Sequence, residues 1–250
     1  MTFPNFKNKH LEEALFSPDD FLDYKRLDRK KFPSKYILTY QSAALRYFRR
    51  RYSGQYSLIK IHAGFHVHIL RNKNVGFVKV PGIGSPQAVT LFEELIGLGG
   101  KEFINMGTAG GLQHEGVFLC DRAIRDEGTS SHYMAHEKYS YPNKSLTRRL
   151  AKALQENEIE HETATTWTID TPYMETKAEV NQYKKEGVAT VEMEASALFA
   201  VAKLRKVKIA SAFVVSDVLG EKWEPKFHHV NVKSMQNKMI DAAVACLNKK

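Results

Sequence analysis

Residues 189–219 read ATVEMEASALFAVAKLRKVKIASAFVVSDVL, and the pattern of this stretch sets the fold class. Residues 189–191 are short, apolar and β-branched. Ala195, Leu198, Phe199 and Ala202 then recur at i, i+3, i+4 and i+7, which is one face of a helix. Residues 208–216 are almost unbroken apolar sequence, as in a strand covered on both faces. Strand, helix and strand in this order make the unit of a parallel sheet, which predicts an α/β fold. On that reading Glu192 and Glu194 fall at the carboxyl end of the first strand and Asp217 at the carboxyl end of the second. Open parallel sheets bind ligands on that rim. One acid there would be a helix-start or turn residue; three together read as a site.

Upstream, the same grammar repeats. Residues 36–40 predict a strand and residues 42–51 a helix carrying Arg46. Further strands fall within 57–70 and 75–80, with turn chemistry at residues 71–74. Residues 81–86, PGIGSP, form a glycine turn before a helix whose buried stripe is Ala88, Leu91, Phe92 and Leu95. The turn lacks the third glycine of a dinucleotide fingerprint, yet it can aim free N–H groups at a ligand. Residues 101–106 predict a strand that runs into GTAGGL at 107–112. This second glycine segment reads as a loop whose amides could nest an anion, with the Thr108 hydroxyl as a further donor. A strand at 119–124 leads to RDEGTS at 125–130, then come a basic helix at 145–157 and a strand at 162–169. A short helix at 176–185 and a final one at 229–247 complete the chain. Residues 1–34 read as a peripheral arm with a short helix near 11–16, and residues 35–250 as one domain.

The bulk properties exclude several classes. The chain has 250 residues and a formal net charge of +9, but its basic residues are scattered apart from Arg46 with 49–51 and the pair 148–149. No nucleic-acid module accompanies them, so nucleic acid is not an expected partner. No segment reaches the apolar length of a membrane span. Two cysteines, Cys120 and Cys246, offer neither a disulfide framework nor a metal spacing, which fits a reducing cytoplasm. His62, His66 and His68 lack an acidic or cysteine partner at ligand spacing, so no metal is expected.

Taken together, GIGSPQA, an amphipathic helix, NMGTAGGL, VEMEASALFAVA and VVSD resemble the nucleoside phosphorylase superfamily, which includes purine nucleoside and uridine phosphorylases and related nucleosidases. The resemblance runs from about residue 36 onward, and RDEGTS and DTPYMET look most like its uridine phosphorylase-like branch. It implies a single α/β domain with a central mixed, twisted, partly barrel-like sheet flanked by helices. It implies homo-oligomers, hexamers or dimers with shared active sites, and no cofactor beyond inorganic phosphate as co-substrate. In the implied salvage reaction phosphate attacks C1′ of a nucleoside, giving free base and ribose 1-phosphate.

By the same resemblance Glu192, Met193 and Glu194 would bind the ribose. Thr108, Gly107 and Arg46 would hold phosphate, and Ala109, Gly110 and Tyr173 would line the base. Asp217 would be the catalytic acid at N7 of a leaving purine, a role that calls for partial desolvation. The sequence departs from the family at two places. Asn105 stands where phosphorylases carry an arginine, and TYQSAALR replaces their glycine-aspartate phosphate loop. An amide does not replace a guanidinium clamp. A nucleosidase using water, and a catalytically degenerate nucleoside-binding member of the family, are therefore the alternative readings.

Overall fold

The computed structural model describes residues 3–62, 65–220 and 222–249. In chain order its helices and strands are α1 (Pro18–Tyr24), β1 (Lys35–Thr39), α2 (Ser42–Arg51), β2 (Tyr56–His62), β3 (Phe65–Leu70), β4 (Val75–Lys79), α3 (Ser85–Gly97), β5 (Glu102–Gly111) and β6 (Val117–Asp126). They continue with β7 (Tyr139–Ser140), α4 (Lys144–Glu156), β8 (Glu162–Ile169), α5 (Lys177–Lys185), β9 (Thr190–Glu192), α6 (Ala195–Arg205), β10 (Lys208–Leu219), β11 (Trp223–Pro225) and α7 (Val230–Asn248).

The strands form one mixed sheet in which β10, β6, β8, β9 and β5 close on themselves, because β10 also pairs with β5. Strand β5 makes this possible by changing partner along its length. Its first half, Glu102–Asn105, lies against β1, and its last two residues, Gly110 and Gly111, lie against β9. Strand β1 leads outward to β4, β3 and β2, an open wing on a barrel. The expected single α/β domain with a mixed, partly barrel-like sheet is therefore what the chain adopts.

Helices cover both faces. One apolar core joins Leu22 of α1, Phe92 and Leu95 of α3 and Leu198 and Phe199 of α6 to Phe103 and Phe213 of the sheet. The other joins Phe48 of α2, Leu150 and Leu154 of α4 and Ile240 and Leu247 of α7 to Phe77 and Ile104. Helix α6 is buried on every side from Ala195 to Ala202, so the apolar face read from sequence is only part of its contact surface.

Four expectations need correction. The strand–helix–strand unit is not parallel: β9 is antiparallel to β5 while β10 is parallel to it, so β9 and β10 run in opposite directions on either side of β5. Residues 107–111 are not a loop but the end of β5, with their backbone paired to β10. Their amides therefore form no nest. The glycines are needed for closeness, since a Cβ on Gly110 would lie 2.5 Å from Leu219 Cδ1 and 2.9 Å from Val191 Cγ1. Asp217 is not at a strand end, because β10 runs on to Leu219 across a bulge between Val215 and Asp217. The helix near residues 11–16 is replaced by α1, which starts where Ser17 and Asp20 form a capping box and Pro18 sits in the first turn. Strands β7 and β11 had no sequence signal.

Gly110→Ala should overpack the junction of β5, β9 and β10. We expect a loss of about 1–3 kcal/mol. Thermal unfolding would register this as a fall of roughly 2–4 °C per kcal/mol for a chain of this size.

Candidate functional site

The acidic turn between β9 and α6 is built on hydrogen bonds to backbone. Glu192 Oε2 accepts the amides of Glu194 (2.8 Å) and Ala195 (2.7 Å), so its carboxylate caps the start of α6. Its Oε1 accepts the Thr168 hydroxyl at 2.5 Å. Thr168 Oγ1 in turn accepts the Ser196 amide at 3.0 Å, and the Ser196 hydroxyl donates to Glu127 at 2.8 Å. Glu192 is thus committed to the protein.

Glu194 is placed differently. Its Oε1 accepts the Gly84 amide at 2.6 Å, and the Met193 amide also hydrogen-bonds its carboxyl. Ser85 returns the link by donating its hydroxyl to the Met193 carbonyl at 2.7 Å. Gly84 holds φ +93°, a conformation that favours glycine, and this aims its N–H at the acid. Burial pushes both glutamates upward from the usual carboxylate range, and the charge of Glu192 raises Glu194 further. Tyr40 feels both carboxylates, and burial with their charge holds its phenol well above the ordinary range.

Asp217 sits across β5 from this turn. In register, Gly110 has Val191 on one side and Asp217 on the other. The narrow glycine end of β5 thus sets β9 and β10, the strands that carry the acids, on either side of one residue. Asp217 is buried, with Oδ1 accepting the Ser216 hydroxyl and Oδ2 accepting the Trp223 indole N–H, both at 2.8 Å. Glu175 lies near enough for the charge of Asp217, after burial, to help raise its carboxyl to about 7.

Thr108 is half-buried on β5, and its Oγ1 accepts a hydrogen bond from Gln41 Nε2 at 3.1 Å. Gly107 admits the Tyr40 ring, which would lie 3.3 Å from a Cβ there. Asn105 is wholly buried, accepting from Tyr40 Oη at 2.8 Å and donating to Ser211 Oγ at 3.1 Å. Ala109 and Gly110 are buried beside these groups. Two expected site residues lie elsewhere: Arg46 is exposed on α2, and Tyr173 is fully exposed in a 3-10 turn.

Sequence reasoning missed Gln41, Glu175, Trp223 and Gln236. Trp223 carried the clearest signal, being one of only two tryptophans and set in the polar run EKWEP. Among the described residues no group of three or more His, Cys, Asp or Glu is arranged to hold a metal. His62 contacts Glu94 at 3.1 Å, while burial lowers His68 to about 4. No helix among them is long and apolar enough to cross a membrane.

A closed mixed barrel with an open wing, and a buried acidic turn stitched to a glycine turn, define the class of architecture. The sequence model of the phosphorylase superfamily matches residues 41–249, and the chain belongs to that family. Uridine phosphorylase of Treponema pallidum (strain Nichols) is 32% identical over 149 residues, 54% of this chain and 58% of that protein. The chain thus spans under two thirds of that relative's length. In fold it is similar to purine nucleoside phosphorylase from Toxoplasma gondii, with TM-score 0.79 and 17% identity over 95% of this chain and 98% of that one. It is also similar to AMP nucleosidase from Bacteroides thetaiotaomicron, with TM-score 0.74 and 23% identity over 91% and 97%.

Glu175 generates a pH dependence. Its folded value of about 7 lies above the ordinary 4.5, so the native state holds a proton that the unfolded chain has released. Stability therefore falls as pH rises between those values. Glu175→Gln should unfold at a higher temperature than the parent at pH 8 and at the same temperature near pH 4.5. An equal difference at both pH values would contradict this.

Proposed function

We propose that the chain is a nucleoside phosphorylase: phosphate oxygen bonds to C1′ as the C1′–N bond breaks, and the electron pair leaves with the base. The observation that carries the reading is Glu194, a buried carboxyl held by the amides of Gly84 and Met193 and keeping acceptor sites for a ligand. That arrangement suits ribose hydroxyls, which must donate to an acceptor held rigid while C1′ develops positive charge. Met193 would pack on the sugar, and Glu192 would act through the helix start it caps. Ala109 and Gly110 would line the base, with Asp217 beyond them protonating or hydrogen-bonding N7 of a purine. Trp223 and Ser216 hold the Asp217 carboxyl in place; because both donate to it, proton delivery to N7 requires one of them to give way. Thr108 and Gly107 would receive phosphate, with no metal or organic cofactor.

Homo-oligomers belong to the same reading. Phe6, Leu11, Leu15, Phe16 and Tyr24 are all exposed along the N-terminal segment, and Tyr173 and Met174 form a second exposed apolar pair. A dimer or hexamer that covers them could bring Tyr173 or Arg46 to a neighbouring site. A cytoplasmic location and a part in nucleoside salvage complete the proposal.

One observation favours a second reading, a nucleosidase. Asn105 is spent on Tyr40 and Ser211, and Arg46 is exposed, so the usual arginine clamp on phosphate has no counterpart at these positions. Release of free base from inosine, adenosine, guanosine, uridine and thymidine, with and without phosphate, separates the two. Phosphate-dependent release supports the phosphorylase, equal release without phosphate the hydrolase, and binding without turnover a degenerate member. With a purine nucleoside, Asp217→Asn should lower turnover by about 10²–10⁴-fold. An unchanged rate would remove Asp217 from the acid role.

A further inference from the structure

Helix α7 carries Gln236 among its buried residues, 4% exposed, in a row otherwise made of Met239, Ile240, Ala243 and Leu247. A buried amide in such a row is costly unless it is bonded, and an aliphatic residue would pack there without that cost. Gln236 is bonded. Its Nε2 donates to Gln41 Oε1 at 2.6 Å, and Gln41 Nε2 donates to Thr108 Oγ1 at 3.1 Å. Gln41 Oε1 also faces the Thr39 hydroxyl at 3.4 Å. With two donors on that oxygen, the amide nitrogen of Gln41 is the end that meets Thr108.

This polarity has a consequence for Thr108. A threonine hydroxyl has one proton and two lone pairs. With Gln41 donating to it, the proton cannot point toward Gln41 and must be given elsewhere. A donor aimed away from the protein is what an anionic or lone-pair-bearing nucleophile needs. A carboxylate at position 236 would invert the chain: Gln41 would turn its N–H to the acid, present its carbonyl to Thr108, and draw the threonine proton inward.

We propose that Gln236 and Gln41 are positioning residues, a relay from α7 through the start of α2 to β5 that fixes the direction in which Thr108 donates to phosphate. The proposal rests on the phosphorylase reading above for the identity of the nucleophile.

The test compares the full-length protein with Gln236→Glu, which keeps the shape and reverses the polarity. The readouts are KM for inorganic phosphate, KM for the nucleoside, calorimetric titration with inorganic phosphate, and thermal unfolding. Gln236→Glu should raise the phosphate KM by about tenfold or more while the nucleoside KM stays within about twofold. Should that variant fail to fold, Gln236→Met, which removes the amide without adding a charge, should raise the phosphate KM by about threefold. A phosphate KM within twofold of the parent in a folded variant overturns the relay, as does a uniform change in both KM values. So does a parent protein that binds no inorganic phosphate. A parent that binds phosphate yet releases no base from any nucleoside sinks the phosphorylase reading alone. The relay then stands or falls on whether Gln236→Glu loses the calorimetric signal.

Discussion

The Gly84 amide meets Glu194 Oε1 at 2.6 Å across 110 positions of sequence, and the Ser85 hydroxyl meets the Met193 carbonyl beside it. This pair of bonds joins the start of α3 to the start of α6 at one point. Two carboxylates in one buried turn would repel and unfold it without compensation. Glu192 is offset by two amides at the head of α6 and by Thr168, whereas Glu194 is offset by the amides of Gly84 and Met193. The turn thus gives Glu192 three protein donors and Glu194 two. Structure and chemistry are here one problem with one solution.

The narrow end of β5 answers a second constraint. A barrel closes only if neighbouring strands come within hydrogen-bonding distance on both sides, and at Gly110 the side chains of Val191 and Leu219 fill the space a Cβ would need. The bulge in β10 between Val215 and Asp217 falls at this same level. Bulges re-aim side chains, and this one presents Asp217 to Ser216 and Trp223. Glycine and bulge together bring the acid of β10 level with the acidic turn after β9.

Much of this was legible in the sequence, and the rest failed for definite reasons. Helix α2 and strand β8 begin and end where the local pattern places them, because their signals are contained within their own residues. Strand β9 is three residues long and takes its direction from β8 and β5, so nothing in its own sequence states that it opposes β10. The segment GTAGG reads as a loop because glycine is poor in strands, yet here strand closure requires it. The strands that carry the acids meet by register on β5 instead of by parallel strand ends. Gln236 and Gln41 stand 195 positions apart, and their polarity exists only after α7 packs beside α2. Asn105, which by its position reads as a lost clamp, is an internal strut between Tyr40 and Ser211.

The two tryptophans occupy opposite environments. Trp167 is fully buried and donates to Asp126 at 2.9 Å, while Trp223 is 62% exposed and donates to Asp217. An indole in the core emits at shorter wavelength than one in water, so the native protein carries a fixed blue emitter and a red one wired to a single carboxylate. A group that competes for Asp217 Oδ2 must first loosen that indole. The long-wavelength edge of the emission therefore reads the state of this acid without a label, against an internal reference supplied by the same chain.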